Sequence, residues 1–242
     1  MYVFSILKKR KCEVEYIKLF DEKKIQNADF IILTSSIICH ETEIETLKKI
    51  VNLGKKVFVM GVFANVAKKK YLMKNTYVIP GESESFFLKV NLDAKNLEKY
   101  FSTNNEEIKS IKPIPEMIEN LDELPFPDWD YYTKKYVLRN NFLDFNSKIA
   151  IPITATRGCP YSCFNYCTYP LQQGRKVRFR SVQNVVEEIK HCVKTLGSNK
   201  FIFRDPVFSI NRKHTIEFCK KVIEEKLNIS FMVETHLNNL DD

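Results

Sequence analysis

Short apolar runs alternate with amphipathic stretches along this chain. FIILT (Phe30 to Thr34) and KVFVM (Lys56 to Met60) are mostly apolar and of a length suited to buried parallel strands. Between them Ile44, Leu47, Ile50 and Val51 recur at helical spacing, and Gly54 supplies the stop. A third run, Tyr77 to Ile79, leads through Pro80 and Gly81 into a predicted helix over Glu84 to Val90. This alternation predicts an α/β fold with a doubly wound, Rossmann-like parallel sheet over residues 1–92. Such a sheet takes its ligand at the carboxyl ends of its strands. Thr34, Ser35, Gly61 and Gly81 stand at that edge.

Residues 93–147 break the rhythm. A polar stretch gives way to PIPEMIENLDELPFPDWDYY, where prolines punctuate acidic and aromatic residues. Proline fixes φ and disfavours helix in the residue before it, so the stretch predicts an ordered connector anchored by Phe126 and Trp129. The alternation resumes with a strand over Lys148 to Thr154. Ser181 then caps a helix whose apolar positions are Val182, Val185, Val186, Ile189, Cys192, Val193 and Leu196, with Gly197 beyond its end. Phe201 to Arg204 and Ile229 to Glu234 are the next strands. The helix between them is predicted to face inward with Ile216, Cys219, Val222 and Ile223. Three strands and two helices open a barrel-like layer over residues 148–242.

Composition narrows the chemistry. No apolar window is long enough to span a membrane. The opening MYVFSILKKRKCEVEY carries charges through any apolar core and has no small-residue cleavage site, so it is not read as a signal peptide. The expected compartment is the cytoplasm, whose reducing conditions disfavour a disulfide framework for seven cysteines. Metal chemistry, redox chemistry and plain burial remain. The net charge of +8 comes mostly from scattered Lys, which reads as solvated helix faces. No aromatic-interleaved basic stripe accompanies it, so nucleic acid is not an expected partner.

The candidate chemistry lies in TRGCPYSCFNYCTYP (Thr156 to Pro170), which sets Cys159, Cys163 and Cys167 at equal steps of four. Gly158 and Pro160 argue against a continuous helix there, so the stretch reads as a loop rising from a strand's carboxyl end. A polar loop is a poor place for core cysteines, whereas Cys192, on the buried stripe of its helix, reads as core. Structural zinc wants four protein ligands, and no fourth Cys or His stands at zinc-finger distance. Three thiolates can instead hold three irons of a 4Fe-4S cube and leave one iron open.

The loop resembles the cluster loop of the radical S-adenosylmethionine enzymes, whose signature is Cys-x3-Cys-x2-Cys. RFRSVQNVVEEI and FIFRDPVFSINRKH resemble that family's following segments. ENLDELPFPDW resembles the connector of the subgroup with an N-terminal cobalamin-binding domain, and MGVFANV with YVIPGESESFF resembles the end of that domain. The resemblance implies a Rossmann-like cobalamin domain followed by an incomplete radical SAM partial barrel. Residues 1–17 would supply the first domain's first helix and second strand, its first strand being absent. The radical half stops after three strands, so the resemblance implies a chain truncated at both ends.

Cys159, Cys163 and Cys167 are then implied ligands of a 4Fe-4S cluster whose open iron chelates S-adenosylmethionine. This loop reads Cys-x3-Cys-x3-Cys, one residue longer than the family pattern. Tyr166 would pack near the adenine, or simply on its own domain. Asp205 would accept from the methionine ammonium, or cap a turn. Glu234 ends the third strand, with His236 where the family often has Arg. Thr34, Ser35, Gly61 and Gly81 sit where cobalamin would lie, although turns at strand ends need such residues in any case. No catalytic residue is assigned, and the substrate, small or macromolecular, is not legible. The implied reaction is cobalamin-dependent methyl transfer or related radical C–H chemistry, with an electron donor such as flavodoxin or ferredoxin. A tRNA methylthiotransferase would need three further cysteines in the first domain, which has only Cys12 and Cys39. The other alternative is a non-catalytic iron–sulfur-binding remnant.

Overall fold

The computed structural model describes residues 1–101, 117–133, 144–145, 148–163 and 167–240. Two units divide the chain: Ile6–Ile118, and Met1–Ser5 together with Glu119–Asp242. Much of the predicted connector, including Pro113 and Pro115, lies outside the described residues, as does Tyr166.

The first elements in chain order are helices α1 (Tyr2–Lys9) and α2 (Glu22–Asn27). They are followed by β1 (Ile31–Thr34), α3 (His40–Asn52), β2 (Val57–Met60), α4 (Val62–Val66), β3 (Thr76–Val78), α5 (Ser83–Lys89) and α6 (Ala94–Glu98). The strands form one parallel sheet in the order β1-β2-β3, with Ile31 opposite Val57 and Val57 opposite Thr76. The predicted parallel pairing of the first two runs therefore stands. Val57, Phe58 and Val59 are fully buried, as a strand covered on both faces requires. Val57 and Val59 pack with Leu47, Ile50 and Val78, while Phe58 meets the rings of Phe86, Phe87 and Phe101.

One expectation fails here. Residues 12–17 form no strand; the stretch after α1 has no ladder partner among the described residues, and Ile17 packs on the apolar core. Alternating side chains make a strand only when an edge accepts them and one face is buried.

The second unit contains α7 (Trp129–Tyr132), β4 (Asp144–Phe145), β5 (Lys148–Ile153), β6 (Thr156–Arg157), α8 (Tyr169–Gln173) and β7 (Arg178–Phe179). Then come α9 (Val182–Leu196), β8 (Lys200–Phe203), α10 (Arg212–Glu224) and β9 (Ser230–Met232). The main sheet runs β4-β5-β8-β9, with β4 antiparallel to β5 and the other pairs parallel. Helix α9 follows its sequence closely: the Ser181 side chain accepts from the Asn184 amide, and Gly197 closes the helix at φ +64°. Val185, Val186, Ile189 and Cys192 are buried against Ile151, Ile153, Phe201 and Phe203, and Trp129 packs on the same core.

Helix α10 corrects the prediction in part: Val222 packs on the core as expected, but the other three predicted positions do not. Ile216, Cys219 and Ile223 are exposed, and Phe218 is the residue buried. The helix carries two apolar stripes one residue apart, about 100° around its axis. The aromatic one wins because Phe218 meets Phe203 and Phe208, with ring centroids 5.3 and 5.8 Å away. Among the described residues no helix is long and apolar enough to cross a membrane.

Candidate functional site

Strand β5 ends at Ile153, and the chain turns through Thr154 and Ala155 into the short ribbon β6–β7, where Thr156 faces Phe179 and Arg157 faces Arg178. The cysteine loop is the connection between these two ribbon strands. It opens at Gly158, whose φ of +100° and whose approach to Lys176 leave no room for a side chain. The Gly158 amide donates to Gln173 Oε1 at 3.0 Å, and the Cys159 amide donates to the Gly174 carbonyl at 3.1 Å. Arg175 Nη1 reaches the Tyr161 carbonyl at 3.3 Å and Ser162 Oγ at 3.2 Å. The loop's backbone is thus tied to its own far side. Cys159 is buried, Cys163 and Cys167 are half-buried, and all three are free thiols.

The carboxyl ends of β8 and β9 supply the neighbouring groups. Glu234, just past β9, pairs with Arg204, just past β8, at 3.6 Å across an exposed surface. Burial pushes the Tyr169 phenol up, and the Glu234 carboxylate adds to this. Tyr161 stacks on His236 with ring centroids 4.6 Å apart, and its hydroxyl donates to Asn239 Oδ1 at 3.1 Å. The structure therefore brings Glu234 and His236 to the cysteine loop, as their positions at a strand end predict. Tyr161 and Tyr169 were missed; the only signal for them is that they are aromatic residues beside the cysteines.

Asp205, expected either to contact the bound cofactor or to cap a turn, is engaged by backbone amides. It is fully buried, and both its oxygens lie 3.1 Å from the Ala155 amide. It accepts from the Thr156 amide as well. Burial raises its carboxyl to about 6, against hydrogen bonds from Thr156 and Ala155 and the charge of Arg180. This carboxylate accepts from the chain's own backbone at the turn. Arg180 is equally buried and forms an ion pair with Glu188 at 2.5 Å. Its guanidinium also donates to Asn184 Oδ1 and the Thr154 carbonyl, at 2.8 and 2.9 Å. Burial pushes the Glu188 carboxyl up, and Arg180 pulls it down. The sequence did carry a signal for Glu188, which falls at i+3 from Val185 and i−4 from Cys192, on the buried stripe of α9.

In the first unit the four predicted residues sit at the carboxyl edge of the sheet. Thr34 is exposed at the end of β1. Ser35 is buried; its amide donates to the Met60 carbonyl at 2.7 Å, and its Oγ accepts from the Ala64 amide at 2.8 Å. Gly61 (φ +112°) packs so closely on Ser35 that a Cβ would stand 2.7 Å from its carbonyl oxygen. Gly81, at φ +64°, turns the chain after β3. Ser35 and Gly61 thus spend their polarity and conformational freedom on each other and on α4. Nearby, Glu43 accepts from the Ser36 amide at 2.9 Å and from the Tyr71 hydroxyl at 3.3 Å. Burial and that carboxylate push the Tyr71 phenol up to about 12.

Among the described residues, no three His, Cys, Asp or Glu side chains converge closely enough to hold a metal ion. A single tetrahedral ion would draw thiolate sulfurs to within about 4 Å of one another. Thiolates that each bind a different iron of a cube stand farther apart, so a soft, all-thiol donor set spread over one loop suits a cluster better than a lone ion.

No protein-family model matches the chain. Among curated proteins it is 26% identical over 174 residues to an uncharacterized methyltransferase of Pyrococcus horikoshii, covering 68% of this chain and 36% of that protein. It is 33% identical over 129 residues to the anaerobic magnesium-protoporphyrin IX monomethyl ester cyclase of Rubrivivax gelatinosus, covering 53% and 22%. To the bacteriochlorophyllide d C-12(1)-methyltransferase of Chlorobaculum tepidum it is 27% identical over 196 residues, covering 77% and 37%. The chain therefore spans well under half the length of these curated relatives. Among solved structures it shares the fold of the radical S-adenosylmethionine methyltransferase TsrM of Kitasatospora setae, at TM-score 0.62 and 14% identity. That match covers 93% of this chain and 48% of the other. The chain is thus similar in sequence to methyltransferases and cyclases, and it shares the fold of a radical S-adenosylmethionine methyltransferase.

Proposed function

We propose that this chain is the cofactor-bearing part of a radical S-adenosylmethionine enzyme that carries out cobalamin-dependent methyl transfer or related radical C–H chemistry. The observation that carries the reading is three free thiols, Cys159, Cys163 and Cys167, on one loop at the carboxyl end of β5. The solved TsrM chains, one with tryptophan substrate and a SAM analogue and one with cobalamin and a [4Fe-4S] cluster, support it by analogy. In this reading residues 1–92 are the cobalamin-binding-like domain, 93–147 the connector and 148–242 the opening part of the radical SAM domain. The methyltransferases and cyclases among the relatives favour this over a tRNA methylthiotransferase.

The three thiolates would hold three irons, and the bound cluster with S-adenosylmethionine would supply one-electron chemistry. The chain's own work is to position and shield. Gly158 allows the loop to leave β6, and the bonds from Gly158 and Cys159 to Gln173 and Gly174 fix its entry. Tyr161 anchors the stretch between the first two thiols on His236 and Asn239. Glu234, exposed beside Tyr169 and Arg204, is the carboxylate available for a cationic group of the bound cofactor. Thr34, Ser35, Gly61 and Gly81 line the strand ends where cobalamin would lie, with Thr34 the exposed hydroxyl among them. A cytoplasmic setting with a flavodoxin- or ferredoxin-type electron donor completes the proposal.

Anaerobic reconstitution with iron and sulfide tests it. The expected product is brown, with about four irons per chain. Cys159→Ala, Cys163→Ala and Cys167→Ala should each lose the iron and its absorbance. If all three variants bind iron as the parent does, the reading fails.

A further inference from the structure

The turn that launches the cysteine loop is held from two directions by buried charges. Four consecutive backbone groups are engaged. The Thr154 carbonyl accepts from Arg180 Nη1 at 2.9 Å, and the Ala155 carbonyl accepts from the Arg180 amide at 2.8 Å. The Ala155 and Thr156 amides both donate to Asp205. Behind Arg180 stands Glu188, with side-chain exposures of 2% and 0% across the pair. Among the described residues, one oxygen of Glu188 has no hydrogen-bond partner.

Stability alone is a poor reason for this arrangement. Taking an ion pair out of water costs about as much as the pairing returns, and apolar replacements of similar size are often neutral or better. A buried network of fixed geometry is better suited to specifying position. What it specifies here follows from the chain path. Thr156 is three residues before Cys159, and the residues between are paired strand and a glycine with no side-chain freedom. A shift of the turn is therefore carried straight to the first thiol.

We propose that Arg180, Glu188 and Asp205 are positioning residues for the cysteine loop, gripping the Thr154–Thr156 turn from opposite sides so that Cys159 is presented in one buried orientation. Asp205 acts through the loop's backbone in this scheme. The inference deepens the cluster-site reading, and its test uses the metal-free chain so that the two can fail separately.

The full chain, metal-free and reduced, is treated with N-ethylmaleimide, and modification at each cysteine is followed by peptide mass mapping. Exposed Cys39 and Cys219 serve as fast references and buried Cys192 as the slow one. The double variant Arg180→Met/Glu188→Met removes both charges of the pair together, so neither partner of the pair is left as a lone buried ion. Cys159 alkylation is expected to accelerate on the order of tenfold, the mark of a local opening, while Cys192 stays slow. Arg180→Lys, which keeps the charge but not the fork of donors, should fall between parent and double variant. Asp205→Asn should accelerate Cys159 as well, since it replaces an acceptor oxygen with a donor facing two amides.

An unchanged Cys159 rate in the double variant overturns the proposal. A Cys192 rate that rises in step with Cys159 overturns it too, because the charges would then hold the core rather than the loop. A parent chain that takes up no iron on reconstitution sinks the cluster reading and leaves the alkylation result standing.

Discussion

A Cβ on Gly158 would stand 2.1 Å from the carbonyl oxygen of Lys176, across the base of the cysteine loop. Backbone cannot yield as a flexible side chain does, and the φ of +100° is itself foreign to residues with side chains. Gly158→Ala is expected to cost at least about 1–3 kcal/mol and to break the Cys159–Gly174 bond. Urea unfolding and iron content after reconstitution check this. A variant that matches the parent in both would show that the loop has another way out of β6.

The buried carboxyl of Asp205 predicts an unusual pH dependence. Its pKa rises from 3.8 to about 6 on folding. Between those values the folded chain keeps a proton that the unfolded chain releases, so this group's contribution falls as pH rises. It is fully present below about pH 4 and lost above about pH 6, a span of about 3 kcal/mol at most. Other carboxylates titrate in the same range, so the useful quantity is the stability of the parent minus that of Asp205→Asn. That difference should decline from pH 4 to pH 7 in urea titrations. A flat difference contradicts the assignment.

How far the sequence could be read differs from element to element, for physical reasons. Helix α9 was legible throughout because its cap, its stripe and its closing Gly197 all point the same way. The parallel pairing of β1 with β2 was legible from apolar runs separated by one helix. The inward face of α10 was not, since its two neighbouring stripes have nearly the same period and only the ring cluster around Phe203 chooses between them. The cysteines announced themselves by spacing. The burial behind them was not legible: Arg180 looks in sequence like an ordinary exposed charge, and Asp205 stood out only through the family resemblance. Their burial follows from tertiary partners twenty-five or more positions away: Thr154 for Arg180, Ala155 for Asp205.

Two glycines of the first unit separate backbone strain from crowding. Gly54 and Gly61 both have positive φ, at +76° and +112°. A Cβ on Gly54 would meet nothing within 4 Å, whereas on Gly61 it would run into Ser35 at 2.7 Å. Gly54→Ala should therefore cost about 1 kcal/mol and Gly61→Ala clearly more. Thermal unfolding of the two variants gives the comparison. Equal losses would mean that Ser35 moves aside freely, and its bond to Ala64 would then be of little consequence.

The Tyr161–His236 stack makes the final prediction. Tyr161 lies midway between Cys159 and Cys163, and its ring meets the imidazole at 4.6 Å and 18°. Its hydroxyl separately donates to Asn239. Tyr161→Phe removes only that hydrogen bond and should cost about 1 kcal/mol. Tyr161→Ala removes the stack too, a further 0.5–1.5 kcal/mol or so beyond the lost area. A double-mutant cycle of Tyr161→Ala with His236→Ala should return a coupling of about 0.5–1.5 kcal/mol in urea titrations. Because the anchor sits between two thiols, Tyr161→Ala should also lose iron to a chelator faster than Tyr161→Phe. Coupling near zero together with equal iron loss would mean that the two rings merely lie side by side and that the loop is held by its glycine and backbone bonds alone.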